Sequence, residues 1–184
     1  DIQWFAVQNA LNNCPTYKRQ LQSFYADWLT RRYGDEAGLR NAWGPTALNA
    51  FLDIATNESL GERTIAVIAN PWFSEPASLD QMEREKGARK RLLDNFLFLY
   101  ETQNAFYDRY KKAIRATGYQ GVLLGSCWQS TGLGHYYNIL SDRRIGFIDR
   151  HNYYSGTGLH FLRTGPIIQP ASLLANPAGD LLAT

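Results

Sequence analysis

The fold turns on the stretch Ile145-Gly146-Phe147-Ile148-Asp149-Arg150-His151-Asn152-Tyr153-Tyr154 and its upstream counterpart Tyr119-Gln120-Gly121-Val122-Leu123-Leu124-Gly125-Ser126. Each holds a short, continuous apolar run, Val122-Leu123-Leu124 and Ile145-Gly146-Phe147-Ile148, with polar residues and aromatics close behind. A run without polar alternation suits a strand covered on both faces. Helical patterns precede and separate the two runs, and that alternation predicts an α/β chain with adjacent parallel strands joined by a right-handed crossover.

Working toward the N-terminus, residues 1–14 read as a loop and Pro15 suits a first helical turn. Leu21, Phe24, Tyr25, Trp28 and Leu29 then mark one apolar helix face, which Gly34 closes. Asp35 can cap a second helix through about Trp43, ended by Gly44-Pro45. Residues 45–77 read as mostly irregular, with a β-prone run Ile65-Ala66-Val67-Ile68 and room for a short helix near 47–54. Ser78 and Gln81 fit a capping box that opens the longest element, a helix to Gly118 with a weak point at Gly87. A short helix over about 133–141 separates the two apolar runs, and the chain is loop-like after Tyr154. Two strands cannot close a sheet. They suit a (β/α)8 barrel, which typically needs about 250 residues. The expected fold is therefore a partial TIM barrel, a single domain over 1–184.

Composition narrows the function. With 45% hydrophobic and 20% charged residues, the chain is globular rather than disordered. A formal net charge of +2 makes no case for nucleic acid. The mixed-sign run Glu83-Arg84-Glu85-Lys86-Gly87-Ala88-Arg89-Lys90-Arg91 reads as a solvated helix face. No apolar run approaches a membrane span. Cys14 and Cys127 make neither a disulfide framework nor a zinc pattern, and no cofactor is implied. The chain opens at Asp1 without Met or a signal-like segment, and both ends read as cuts within a longer protein.

In α/β sheets and barrels, function gathers in the loops after the carboxyl ends of strands. Here those loops begin Ser126-Cys127-Trp128-Gln129 and Asp149-Arg150-His151-Asn152-Tyr153-Tyr154. Hydrogen-bonding groups beside aromatics suit a sugar, whose hydroxyls need polar partners and whose C–H faces pack on rings. Asp149 with His151 lacks a third metal ligand, and Cys127 lacks an evident activating base. The aromatic face of the long helix reads as core.

The stretch 145–154, ending in His151-Asn152-Tyr153 with Tyr154 next, resembles the sixth strand of glycoside hydrolases with the clan-A barrel. Phe24-Tyr25-Ala26-Asp27-Trp28-Leu29, Arg32-Tyr33-Gly34-Asp35 and Leu39-Arg40-Asn41-Ala42-Trp43-Gly44 resemble the helix after the fourth strand in family-42-like and cellulase-like members. Val122-Leu123-Leu124-Gly125-Ser126 would then be the fifth strand. The resemblance spans roughly 1–55 and 90–155. It implies a retaining glycosidase that uses two glutamates about 5–5.5 Å apart, with the acid/base expected before Asp1 and the nucleophile after Thr184. None of the chain's own glutamates takes either role. The resemblance further implies that Tyr153 and His151 support the nucleophile, and that Trp128, Gln129, Ser126 and Tyr154 contact a carbohydrate substrate. The rival reading is a non-catalytic, carbohydrate- or protein-binding α-rich domain.

Overall fold

The computed structural model of this chain describes residues 7–126, 132–149 and 181–183. Their regular structure is mainly helical: α1 (Val7–Asn13), α2 (Pro15–Tyr33), α3 (Glu36–Trp43), a 3-10 turn (Pro71–Ser74), α4 (Pro76–Lys86), α5 (Arg89–Ala116) and α6 (Gly132–Ile145). Two short strands, β1 (Ile148–Asp149) and β2 (Leu181–Ala183), pair in parallel. The described residues form two compact groups, one of residues 7–102 and 132–134, the other of 103–126, 135–149 and 181–183.

This corrects the α/β expectation, because no partial TIM barrel is present among the described residues. The run Val122-Leu123-Leu124 forms one isolated parallel bridge, Leu124 to Phe147, instead of a strand. Only Leu123 is buried, while Val122 is 57% and Leu124 48% exposed. A strand covered on both faces requires the opposite pattern. Ile145 is spent on the last turn of α6, which leaves β1 only two residues.

Local signals account for the helices of the first group. In α2, Pro15 stands in the first turn and Tyr25, Ala26, Trp28 and Leu29 form the buried face. The Asp35 side chain accepts from the Gly38 N–H at 2.8 Å and caps α3. The expected single helix from Ser78 is two helices. Gly87 adopts a left-handed conformation at φ 59° and terminates α4, its N–H donating to carbonyls of the last turn. A Cβ there would also lie 2.7 Å from Thr46 Oγ1. Residues 7–13, expected in a loop, form α1.

The core of this group joins α2, α3 and the first half of α5. The Tyr25 and Phe98 rings lie 4.7 Å apart, and Trp28 packs edge-on to Phe98 at 6.1 Å. Burial pushes the Tyr25 phenol well above its usual range, so it stays neutral. Trp43 Nε1 and Tyr33 Oη both donate to Asp94, which also pairs with Lys90.

The run 65–68 is buried but forms no strand, because side chains satisfy its backbone. Glu58 accepts from Ala66 N, and Arg91 Nη2 donates to Ala66 O at 3.5 Å. Asn95 accepts from Ile68 N and donates to Ile68 O. Arg91, expected on a solvated face, is fully buried instead. Its guanidinium lies between Trp43 and Phe51 and reaches both Glu58 oxygens, at 2.7 and 2.6 Å. An Arg fork matches a carboxylate at two points, which makes burial of the pair tolerable.

Candidate functional site

The second group is built where α5 and α6 meet the segments 121–126 and 146–149. Tyr107, Leu123 and Ile145 form its small apolar core, with Ile114 packed against them. Phe147 N–H donates to Leu123 O at 3.0 Å and draws the two segments together. Two glycines permit that approach. A Cβ at Gly146 would lie 2.2 Å from Leu123 O, and one at Gly125 only 2.5 Å from Asp142 Oδ1. The aromatic face of the long helix divides here: Tyr107 turns inward, whereas Phe106 and Tyr110 are exposed and stack on each other.

Asp142 is the polar centre of this group and is fully buried. Its Oδ1 accepts from Ser126 N–H at 2.9 Å and from the Tyr107 hydroxyl at 3.4 Å. Its Oδ2 accepts from the Ser126 hydroxyl at 3.1 Å. One carboxylate thus holds both the backbone and the side chain of Ser126, where the loop of Trp128 and Gln129 begins. The residue just before it on the same helix, Ser141, donates to Asn104 Oδ1 at 2.9 Å. Asn138 and Gln103 are also buried, and neither carboxamide has a hydrogen-bond partner.

Of the residues the sequence singled out, Ser126 and Asp149 fall within the described residues. Each lies two residues beyond the Leu124–Phe147 bridge in the same chain direction. Ser126 and Asp149 therefore lie at the same end of the paired segments. Trp128, Gln129, His151, Tyr153 and Tyr154, like Cys127, lie outside the described residues.

Sequence reading missed Asp142, Tyr107 and the amides around them. The available signal was periodicity. Asn138, Ser141, Asp142 and Ile145 fall at i, i+3, i+4 and i+7 of α6, so three polar residues share the inward stripe with Ile145. Among the described residues, no three potential metal ligands gather at one point, and no helix is long and apolar enough to cross a membrane. The three buried carboxylates described are each engaged: Glu58 by Arg91, Asp94 by Lys90, Tyr33 and Trp43, and Asp142 by Ser126. The arrangement is suited to holding a loop and presenting hydrogen-bonding groups. Comparison with protein-family models, with curated proteins and with solved structures finds no match for this chain.

Proposed function

We propose that this chain binds carbohydrate through the loops that follow Ser126 and Asp149, and that it does so as part of a retaining glycoside hydrolase. Its contribution is binding and positioning groups, Ser126, Trp128, Gln129, His151, Tyr153 and Tyr154, rather than the catalytic carboxylate pair. The observation that carries this reading is the common end at which Ser126 and Asp149 lie beyond the Leu124–Phe147 bridge, with Ser126 held at two atoms by Asp142. Aromatic and hydrogen-bonding residues in sequence beside two neighbouring backbone positions are what a sugar site needs. Mixed backbone and hydroxyl anchoring also reduces the ordering entropy that ligand binding must offset.

The helical architecture favours a second reading, a non-catalytic α-rich binding domain. One experiment addresses both. The chain is titrated calorimetrically with a panel of oligosaccharides, beside Trp128→Ala and Tyr153→Phe, and assayed on aryl glycosides. Binding that Trp128→Ala weakens at least tenfold, without turnover, is the expected result. A version extended with its flanking sequence that turns over glycosides selects the hydrolase reading. One that binds without turnover selects the non-catalytic domain. Failure of every sugar to bind would remove the carbohydrate reading.

A further inference from the structure

In the second group, α5 and α6 meet along a polar seam. The contacts climb both helices together: Asn104 with Ser141, Tyr107 with Asp142, Asp108 with Arg144. Gln103 and Asn138 stand four residues before Tyr107 and Asp142, one helical turn back on the same faces. Asn138 is fully buried and Gln103 is 5% exposed. The oxygen and nitrogen of both carboxamides are nevertheless unpartnered within the protein. Leaving one such group unsatisfied lowers a folding equilibrium by roughly a factor of five to a hundred. Four polar atoms on one seam are hard to sustain without a partner.

The chemistry of the partner follows from the groups. A carboxamide offers two donors and an acceptor with two lone pairs, so its complement must both donate and accept. A hydroxyl oxygen does both. The carboxylate one turn away on α6 disfavours an anion, and its oxygens already serve Ser126. We propose that Gln103 and Asn138 form an internal site for a neutral hydroxyl, supplied by a long-lived water or by a sugar. A buried water typically makes about three hydrogen bonds, which these two amides and their neighbours can provide. The sugar form rests on the carbohydrate reading above, and the water form does not.

The test uses the whole chain labelled with 15N. The side-chain NH2 signals of Gln103 and Asn138 are assigned by their loss in Gln103→Met and Asn138→Leu. Magnetisation transfer to these amide protons is then measured from water, and from cellobiose, lactose and xylobiose at saturating concentration. Transfer from a long-lived water in the free chain supports the site and identifies water as its source. Transfer from sugar C–H protons supports it and identifies the sugar. Both substitutions should lower the folding equilibrium constant roughly two- to tenfold, as loss of a satisfied hydrogen-bonding group does. The absence of transfer from either source would overturn the site, as would a rise in folding constant for either variant. Sugar binding that leaves both amides unaffected, with no water transfer, would overturn this site and leave the carbohydrate reading standing.

Discussion

Replacing Glu58 by alanine strips four donors of their acceptor at once. Glu58 Oε1 accepts from Arg91 Nη2 and Ala66 N–H at 2.6 and 2.8 Å, while Oε2 accepts from Arg91 Nη1 and Asn49 N–H at 2.7 Å each. Both side chains are almost wholly shielded, at 0% and 1% exposure. Breaking a buried ion pair from one side costs about 3–5 kcal/mol, because the surviving charge stays buried and unpaired. Each stranded backbone N–H adds about 1–3 kcal/mol unless water reaches it. The sum is on the order of 5 kcal/mol or more, against a typical total stability of about 5–15 kcal/mol. Glu58→Ala should therefore be largely unfolded, or should melt far below the parent chain. Urea unfolding followed by far-ultraviolet circular dichroism measures this directly. The double variant Glu58→Ala/Arg91→Met should recover part of the loss, since it removes the orphaned charge and leaves an apolar side chain between Trp43 and Phe51. A loss below about 1 kcal/mol in Glu58→Ala would refute this account. It would mean that solvent reaches Arg91, or that Glu58 lies elsewhere.

Three further outcomes follow from single positions. Gly87→Ala should cost about 1–2 kcal/mol in urea unfolding, because alanine resists a φ of 59° and its Cβ meets Thr46 Oγ1. Arg40, then the Ser59 hydroxyl and the Leu60 N–H, hold the Glu36 carboxyl below its ordinary range. The folded state therefore releases this proton more readily than the unfolded chain. The stabilisation is complete above the ordinary carboxylate range and is lost as pH falls below about 4. Glu36→Gln should thus be less stable than the parent at pH 7 and approach it in acid, as unfolding midpoints across pH would show. Asp142→Ala should weaken sugar binding more than tenfold while costing about 1–3 kcal/mol of stability, since it removes the acceptors of both the Ser126 N–H and the Ser126 hydroxyl. Unchanged calorimetric affinity would deny Ser126 its anchoring role.

Local chemistry determined the helical elements that can be read in sequence. Pro15, the inward Tyr25, Trp28 and Leu29, and Gly34 specify α2, though Phe24, read on the same face, is 63% exposed, while Asp35 and Gly44 bound α3. These signals act within one or two turns, so no distant partner is needed. Gly87 was legible as a weakness, but not as a break. The break rests on the left-handed backbone that Gly87 adopts, at φ 59°, a conformation that glycine permits but does not require.

Tertiary structure decided the remainder. Whether Ile65–Ile68, Val122–Leu124 and Ile145–Ile148 become strands depends on partners far along the chain. The first meets the side chains of Glu58 and Asn95, the second makes one bridge, and the third loses its first residue to α6. Burial of charge is non-local in the same way. Arg91 ends a run whose composition suits solvent, and it enters the core only because Glu58, 33 residues away, meets it there. By itself the sequence determined the ends of α2 and α3 and which two stretches carry aromatics beside polar groups. Only the folded chain decided which polar residues go inside, because a buried donor is tolerated only where the fold supplies its acceptor.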